Sequence, residues 1–207
     1  MSLTMEERNI TPSEAYPGDK TTTKAAEPQL LKVEITGDRY TSKEFKDQEW
    51  THMWRRVWMI AGMADECAAP GDFFTCDLGH EPLLFVRGKD GINGFYNICQ
   101  HRGAKLVLQE KGSMDSFSCI YHGWKYGLEG ELVEAQDRDD FERDPCEHVR
   151  LADFRTEIFA GFVWYCLDDD APGLDDFLGD MKEQLESWQL NDGFRVEHFT
   201  VELPCNW

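Results

Sequence analysis

Cys99-Gln100-His101-Arg102-Gly103 and, after seventeen residues counted from His101, Cys119-Ile120-Tyr121-His122-Gly123-Trp124 decide the reading of this chain. Each segment is a short hook with one thiol and one imidazole, spaced C-x-H in the first and C-x-x-H in the second. Thiolates combined with imidazoles suit zinc or an iron–sulfur cluster. A structural zinc site usually pairs like with like, two cysteines on one hook and two histidines on the other. Here each hook mixes the two ligand types, and a single residue separates them in the first.

A binuclear cluster with two cysteines on one iron and two histidines on the other accommodates two mixed hooks. C-x-H-R-G followed by C-x-Y-H-G-W resembles the Rieske [2Fe-2S] family. The resemblance implies that Cys99 and Cys119 hold one iron and His101 and His122 the other, with Arg102 and Trp124 beside the cluster. Replacing two thiolates by neutral imidazoles removes negative charge, so the potential is expected above that of all-cysteine plant-type clusters. The high-potential respiratory type resembles C-x-H-x-G-C and C-x-C-H-G-S, whose extra cysteines form a disulfide. Those positions are Ala104, Tyr121 and Trp124 here. With no disulfide and no serine hydroxyl near the sulfurs, the sequence resembles the low-potential kind found in bacterial oxygenases and their ferredoxins.

The remaining composition bounds the answer. The 207 residues suffice for one domain or one and a half. A hydrophobic content of 41% with 13% aromatics marks a globular chain, and a net charge of −19 argues against nucleic-acid partners and anionic membrane surfaces. The longest apolar run, Ile158 to Leu167, falls well short of the ~20 residues needed to span a bilayer. Seven cysteines and no apolar leader are expected of a cytoplasmic protein. Outside the hooks, Cys76, Cys166 and Cys205 fall in or near strands as small core residues. Cys67 and Cys146 fall in loops as exposed thiols.

Taken in order, residues 1–40 read as a polar arm. Residues 41–56 read as a helix capped by Thr41 with Glu44 three residues on, and Trp50, Trp54 and Trp58 recur at four-residue spacing. Residues 57–170 read as an antiparallel β domain. Its expected strands are 58–62, 72–78, 83–87, 92–98, 117–120, 124–126, 131–133 and one fully buried strand, 158–167. Loops 88–91 and 127–130 are expected hairpins, and 134–154 a charged, solvated loop. Residues 171–207 read as a helix over 174–190 and a strand over 194–203. The fold class is therefore mainly β: an antiparallel β-sandwich with cluster-binding hairpin loops, one helix before it, and a helix and strand after it.

This order, ending in Asn206-Trp207, resembles the α subunit of Rieske non-haem iron ring-hydroxylating oxygenases. The resemblance implies that the last strand opens a catalytic domain, that this domain holds mononuclear Fe(II) on two histidines and one carboxylate, and that an acidic residue there bridges to the cluster histidine of a neighbouring subunit. His52, His80, His148 and His198 show no such spacing, so the catalytic iron is expected only beyond this chain, which is then a truncated piece of an oxygenase. The implied activity passes electrons from NAD(P)H, through a reductase or ferredoxin, to the cluster and on to the iron, for hydroxylation of an aromatic or related substrate. A homo-oligomer or α/β hetero-oligomer is the implied assembly. A free-standing Rieske ferredoxin is the alternative, but a carrier needs neither flanking helix. Arg102, Lys105, Lys111 and Lys125 form an expected basic neighbourhood for an acidic electron donor.

Overall fold

The computed structural model describes residues 36–193 together with 197, 199 and 201. The polar arm therefore lies almost wholly outside the described residues, as do the strand expected over 194–203, Cys205 and the Asn206-Trp207 ending.

A single helical turn at Asp38–Thr41 precedes α1 (Lys43–Glu49). Ser42, not Thr41, caps α1: its Oγ accepts the Phe45 N–H at 3.2 Å and donates to Glu44 Oε2 at 2.8 Å. The helix continues into a π-helical turn, Trp50–Trp54, so the expected four-residue tryptophan stripe does not persist to Trp58. Trp58 instead enters the domain, where its Nε1 donates to the Pro172 carbonyl at 2.8 Å and Arg155 lies over its ring.

Ten strands follow among the described residues: β1 (Met59–Met63), β2 (Asp72–Leu78), β3 (Glu81–Arg87), β4 (Ile92–Tyr96), β5 (Lys111–Ser113), β6 (Phe117–Ser118), β7 (Lys125–Tyr126), β8 (Leu132–Glu134), β9 (Asp153–Phe159) and β10 (Phe162–Cys166). All pairings are antiparallel. Seven strands form one sheet in the order β1-β10-β9-β4-β3-β2-β5, and β6-β7-β8 form a second. Leu83, Leu84, Phe85 and Val86 of β3 are all fully buried because both faces of the strand are covered. Leu84 and Val86 join Phe73, Phe95, Phe117, Tyr126 and Leu132 in a core between the two sheets. Leu83 and Phe85 face the other way, into a core with Phe74, Phe154, Val163 and Tyr165.

Three further expectations need correction. The run 158–167 is not one strand but the end of β9, a turn and β10. Ala160 (φ 51°) and Gly161 (φ 80°) take left-handed backbone there, and Phe162 pairs with Phe159. The helix expected over 174–190 is broken into α2 (Leu174–Leu178) and α3 (Met181–Ser187) at Gly179, whose φ is +49°. Cys67 is not an exposed thiol. It lies fully buried against β3, and that burial pushes its thiol up to about 12. The edge strand β5, with only glycine and polar residues, gave no apolar signal. Among the described residues no helix is long and apolar enough to cross a membrane.

Candidate metal centre

The first hook leaves the end of β4 and the second joins β6 to β7. The two close in the same way. In each, the cysteine N–H donates to the carbonyl five residues on (Cys99 to Ala104, Cys119 to Trp124, both 2.8 Å). In each, the N–H four residues on donates back to the cysteine carbonyl (Gly103 to Cys99, Gly123 to Cys119, both 2.9 Å). That closure turns the chain through left-handed backbone at its fifth residue, with φ +73° at Gly103 and +69° at Gly123, which glycine adopts without a Cβ penalty. The spacings C-x-H and C-x-x-H thus sit on one common loop, with the histidine displaced by one residue.

The first hook is pinned from behind by Asn97, the one fully buried polar side chain among the described residues. Its Nδ2 donates to the Val107 carbonyl and its Oδ1 accepts the Val107 N–H, both at 2.8 Å. Its backbone N–H meets Pro82 and its carbonyl takes the Leu106 N–H. The chain returning from the first hook is thereby fixed to the strand that delivers it.

Strand period two does the rest. Trp124 and Tyr126, two residues apart at the exit of the second hook, both reach the first. Trp124 is buried and stacks on His101 with ring centroids 4.7 Å apart and planes at 15°. The hydroxyl of the fully buried Tyr126 accepts the Gln100 N–H at 3.0 Å and lies 3.4 Å from Cys99 Sγ. Lys125, between them, turns outward to Glu134 at 2.6 Å.

Cys99 and Cys119 are both buried, at 2% and 4% exposure, and their thiols adjoin. His101 and His122 are partly exposed, with ring centroids 4.7 Å apart. Among the described residues no three of His, Cys, Asp and Glu gather as ligands of a single ion. The four stand instead as a thiol pair and an imidazole pair, the division a binuclear cluster with two ligands per iron requires. Burial pushes the Cys99 thiol up, the hydrogen bond from Tyr126 opposes this, and the neighbouring Cys119 adds to it. His101 is lowered by desolvation, then by His122 and Arg102. Burial likewise pushes the Tyr126 hydroxyl far above its usual range. His101 Nδ1 is buried without a hydrogen-bond partner, and an orphaned imidazole nitrogen beside a second imidazole and two thiols fits a metal cluster.

Arg102 is exposed and lies over the Tyr121 ring at 5.8 Å. Two of the four residues of the expected basic neighbourhood pair with carboxylates. Lys105 pairs with Asp77 at 3.3 Å and Lys125 with Glu134, and Lys111 lies on β5. His52 lies in the π-helical turn, His80 in the turn between β2 and β3, and His148 beside the Asp144 carbonyl; His198 is outside the described residues. Sequence reasoning missed Asn97 and Tyr126 as parts of the site. The period-two placement of Tyr126 beside Trp124 was the available signal.

Comparison with known proteins agrees with this geometry. The family description "Rieske [2Fe-2S] domain" matches residues 57–152. The glycine betaine monooxygenase oxygenase subunit of Pseudomonas aeruginosa (strain UCBPP-PA14) is 30% identical over 169 residues, covering 81% of this chain and 39% of its own length. The biphenyl 2,3-dioxygenase subunit alpha of Rhodococcus jostii (strain RHA1) is 33% identical over 182 residues, covering 81% and 38%. The crystal structure of an apo quaternary ammonium Rieske monooxygenase superposes with a TM-score of 0.79 at 29% identity, over 84% of this chain and 52% of that one. The chain thus spans about four-tenths of the length of these curated relatives.

Proposed function

Residues 57–152 belong to the Rieske [2Fe-2S] domain family, and on that premise we propose that Cys99, His101, Cys119 and His122 hold a [2Fe-2S] cluster in the electron-receiving part of an oxygenase α subunit. The observation that carries the cluster assignment is the division of the two mixed hooks into a buried thiol pair and a partly exposed imidazole pair. The group supplies one-electron chemistry when bound. The residues around it have separate tasks. Cys99 and Cys119 keep water from the sulfur end, because both are buried in the core between the two sheets. Tyr126 aims its hydroxyl at Cys99 Sγ, and a donor to a sulfur favours the more negative, reduced state. Trp124 covers His101 on one face. His101 and His122 bring the other end of the site to the surface, beside Tyr121, which is 59% exposed.

The oxygenase assignment is supported by relatives named as oxygenase subunits on either side of the monooxygenase and dioxygenase divide. In this proposal an NAD(P)H-dependent reductase or a ferredoxin supplies the electrons, and mononuclear Fe(II) on two histidines and a carboxylate, held outside these residues, receives them. The full-length protein is a homo-oligomer or α/β hetero-oligomer of the cytoplasm; the six described cysteines are all free, which suits a reducing compartment. Aromatic rings are the substrate class the resemblance implied, and quaternary ammonium compounds are the second class to assay.

The test is anaerobic loading of the chain with iron and sulfide. Two irons and two sulfides per chain are expected, with a reduced paramagnetic cluster that shows nitrogen couplings from two imidazoles. Replacing His122 by Cys should remove one nitrogen coupling. A colourless chain that binds one zinc and no sulfide refutes the cluster. Reading the coding sequence past Trp207 tests the oxygenase half: a following two-histidine, one-carboxylate ligand set supports it, and a stop codon there counts against it.

A further inference from the structure

The run Asp137-Arg138-Asp139-Asp140-Phe141-Glu142-Arg143-Asp144 is charged at every position except one. A loop that required only solvation would have no use for Phe141. In the structure Phe141 is exposed at 40%, with its ring set against one neighbour. Its contact is Trp124, at 5.9 Å between centroids and an interplanar angle of 61°. Trp124 in turn stacks on His101. Three separate segments, the charged loop, the exit of the second hook and the ligand-bearing turn of the first, are joined through these rings.

We propose that Phe141 is a positioning residue that holds Trp124 in its stack on His101 and so fixes the orientation of a cluster ligand. The inference rests on the assignment of His101 as that ligand. The loop is built to present the ring at one place. Asp137 takes left-handed backbone (φ 55°) into a single turn of 3-10 helix, Arg138–Asp140, and the Phe141 N–H donates to the Arg138 carbonyl at 3.2 Å. Arg138 forms an ion pair with Asp144, whose Oδ1 accepts the Cys146 N–H at 3.0 Å. At the other end of the loop, Gln136 lies against Gly123: a Cβ built there would meet its Nε2 at 2.9 Å. Trp124 directly follows this left-handed glycine and its carbonyl closes the hook on the Cys119 N–H, so what is left for the ring contact to bias is the orientation of the indole side chain. An edge-to-face aromatic pair biases such an equilibrium roughly two- to tenfold.

The test compares Phe141→Ala, Phe141→Leu and Phe141→Tyr in the chain as it stands. In the iron-free chain, the ring current of Trp124 shifts the His101 ring protons. Phe141→Ala should move those resonances toward the values of an unstacked imidazole, and Phe141→Tyr should restore them. In the loaded chain, release of iron to a chelator should accelerate about two- to tenfold for Phe141→Ala and return to the parent rate for Phe141→Tyr. Phe141→Leu keeps the bulk without the aromatic edge and serves if the alanine variant fails to fold; it should behave as the alanine variant does. Unmoved His101 resonances with an unchanged release rate overturn the proposal. A parent chain that takes up no iron overturns the cluster reading itself, while the His101 resonances of the iron-free variants still decide whether Phe141 holds the stack.

Discussion

Tyr126→Phe removes one oxygen from a fully buried side chain and leaves its volume otherwise intact. Two things change. The Gln100 N–H loses its acceptor at 3.0 Å, and Cys99 Sγ loses the hydroxyl at 3.4 Å. An unsatisfied donor in a partly buried site costs about 1–3 kcal/mol. With a urea m-value of about 2 kcal/mol/M, the unfolding midpoint of the iron-free chain should fall by roughly 0.5–1.5 M. The second effect is electronic. A hydroxyl donor to a cluster sulfur stabilises the reduced state more than the oxidised one, since the reduced state carries more negative charge on sulfur. If that difference is about 1 kcal/mol, the reduction potential should fall by about 40 mV, because a one-electron couple shifts about 59 mV for each tenfold change. Spectroelectrochemical titration of the loaded chain reads this directly. Tyr165 is the control: it is also buried, but in the core with Phe85 and Phe154, away from the hooks. Tyr165→Phe should leave the potential where it is. An unchanged or raised potential in Tyr126→Phe refutes the electronic argument. A changed potential in both variants shows that the shift came from general loosening of the fold.

Asn97→Ala removes both side-chain bonds to Val107 and leaves two buried backbone groups without partners, so it should destabilise the iron-free chain by about 2–4 kcal/mol in urea titration. Gly103→Ala and Gly123→Ala both force a Cβ onto left-handed backbone, at about 1–2 kcal/mol each. Gly123→Ala must in addition displace the Gln136 amide, whereas a Cβ at Gly103 meets open space, so thermal denaturation should rank Gly123→Ala as the less stable. Hydrogen bonding to Lys125 holds the Glu134 carboxyl below its ordinary value of 4.5. The folded state thus binds its proton less readily than the unfolded state. This contribution is complete above about pH 4.5 and is lost as the pH falls through the lower folded value. Lys125→Met should flatten that part of the acid limb by lowering stability above about pH 4.5, by the small amount usual for exposed pairs, while leaving low-pH stability unchanged.

The two hooks were legible as a candidate metal centre because metal chemistry needs particular residue types at short spacing, and that constraint is local. The strand Asp72–Leu78 was legible to the residue because Pro70-Gly71 opens it and apolar residues (Phe73, Phe74, Cys76 and Leu78) run through it. The turn at Ala160-Gly161 was hidden because its flanks, Ile158-Phe159 and Phe162-Val163, are apolar on both sides, and an alanine at φ 51° carries no turn signal. Ser42 displaced Thr41 as cap because only its Oγ meets the Phe45 N–H, a choice of phase that either residue satisfies on paper. The burial of Cys67 depended on a long-range neighbour, Phe85 on β3, and no local pattern reports that. The same holds for Asn97, whose partner Val107 lies ten residues on, across the first hook. The pairing inside the expected basic neighbourhood was hidden for a related reason: Asp77 and Glu134, the partners of Lys105 and Lys125, come from other strands.

The common closure of the two hooks makes their one difference informative. On a loop with identical end-to-end hydrogen bonds, the first hook places histidine at the third residue and the second hook at the fourth. A shift of one residue on the same backbone turns the side chain toward different surroundings. His101 therefore lies under Trp124 with a buried Nδ1, while His122 lies between His101 and the exposed ring of Tyr121. Had both hooks carried C-x-H, no second imidazole would occupy the Tyr121 side, and the surface end of the site would have a single face. Had both carried C-x-x-H, His101 would leave the Trp124 stack, and the contact that locks one hook to the other would be lost. The unequal spacing is thus what lets a near-symmetric pair of loops place one imidazole under Trp124 and the other beside the exposed ring of Tyr121.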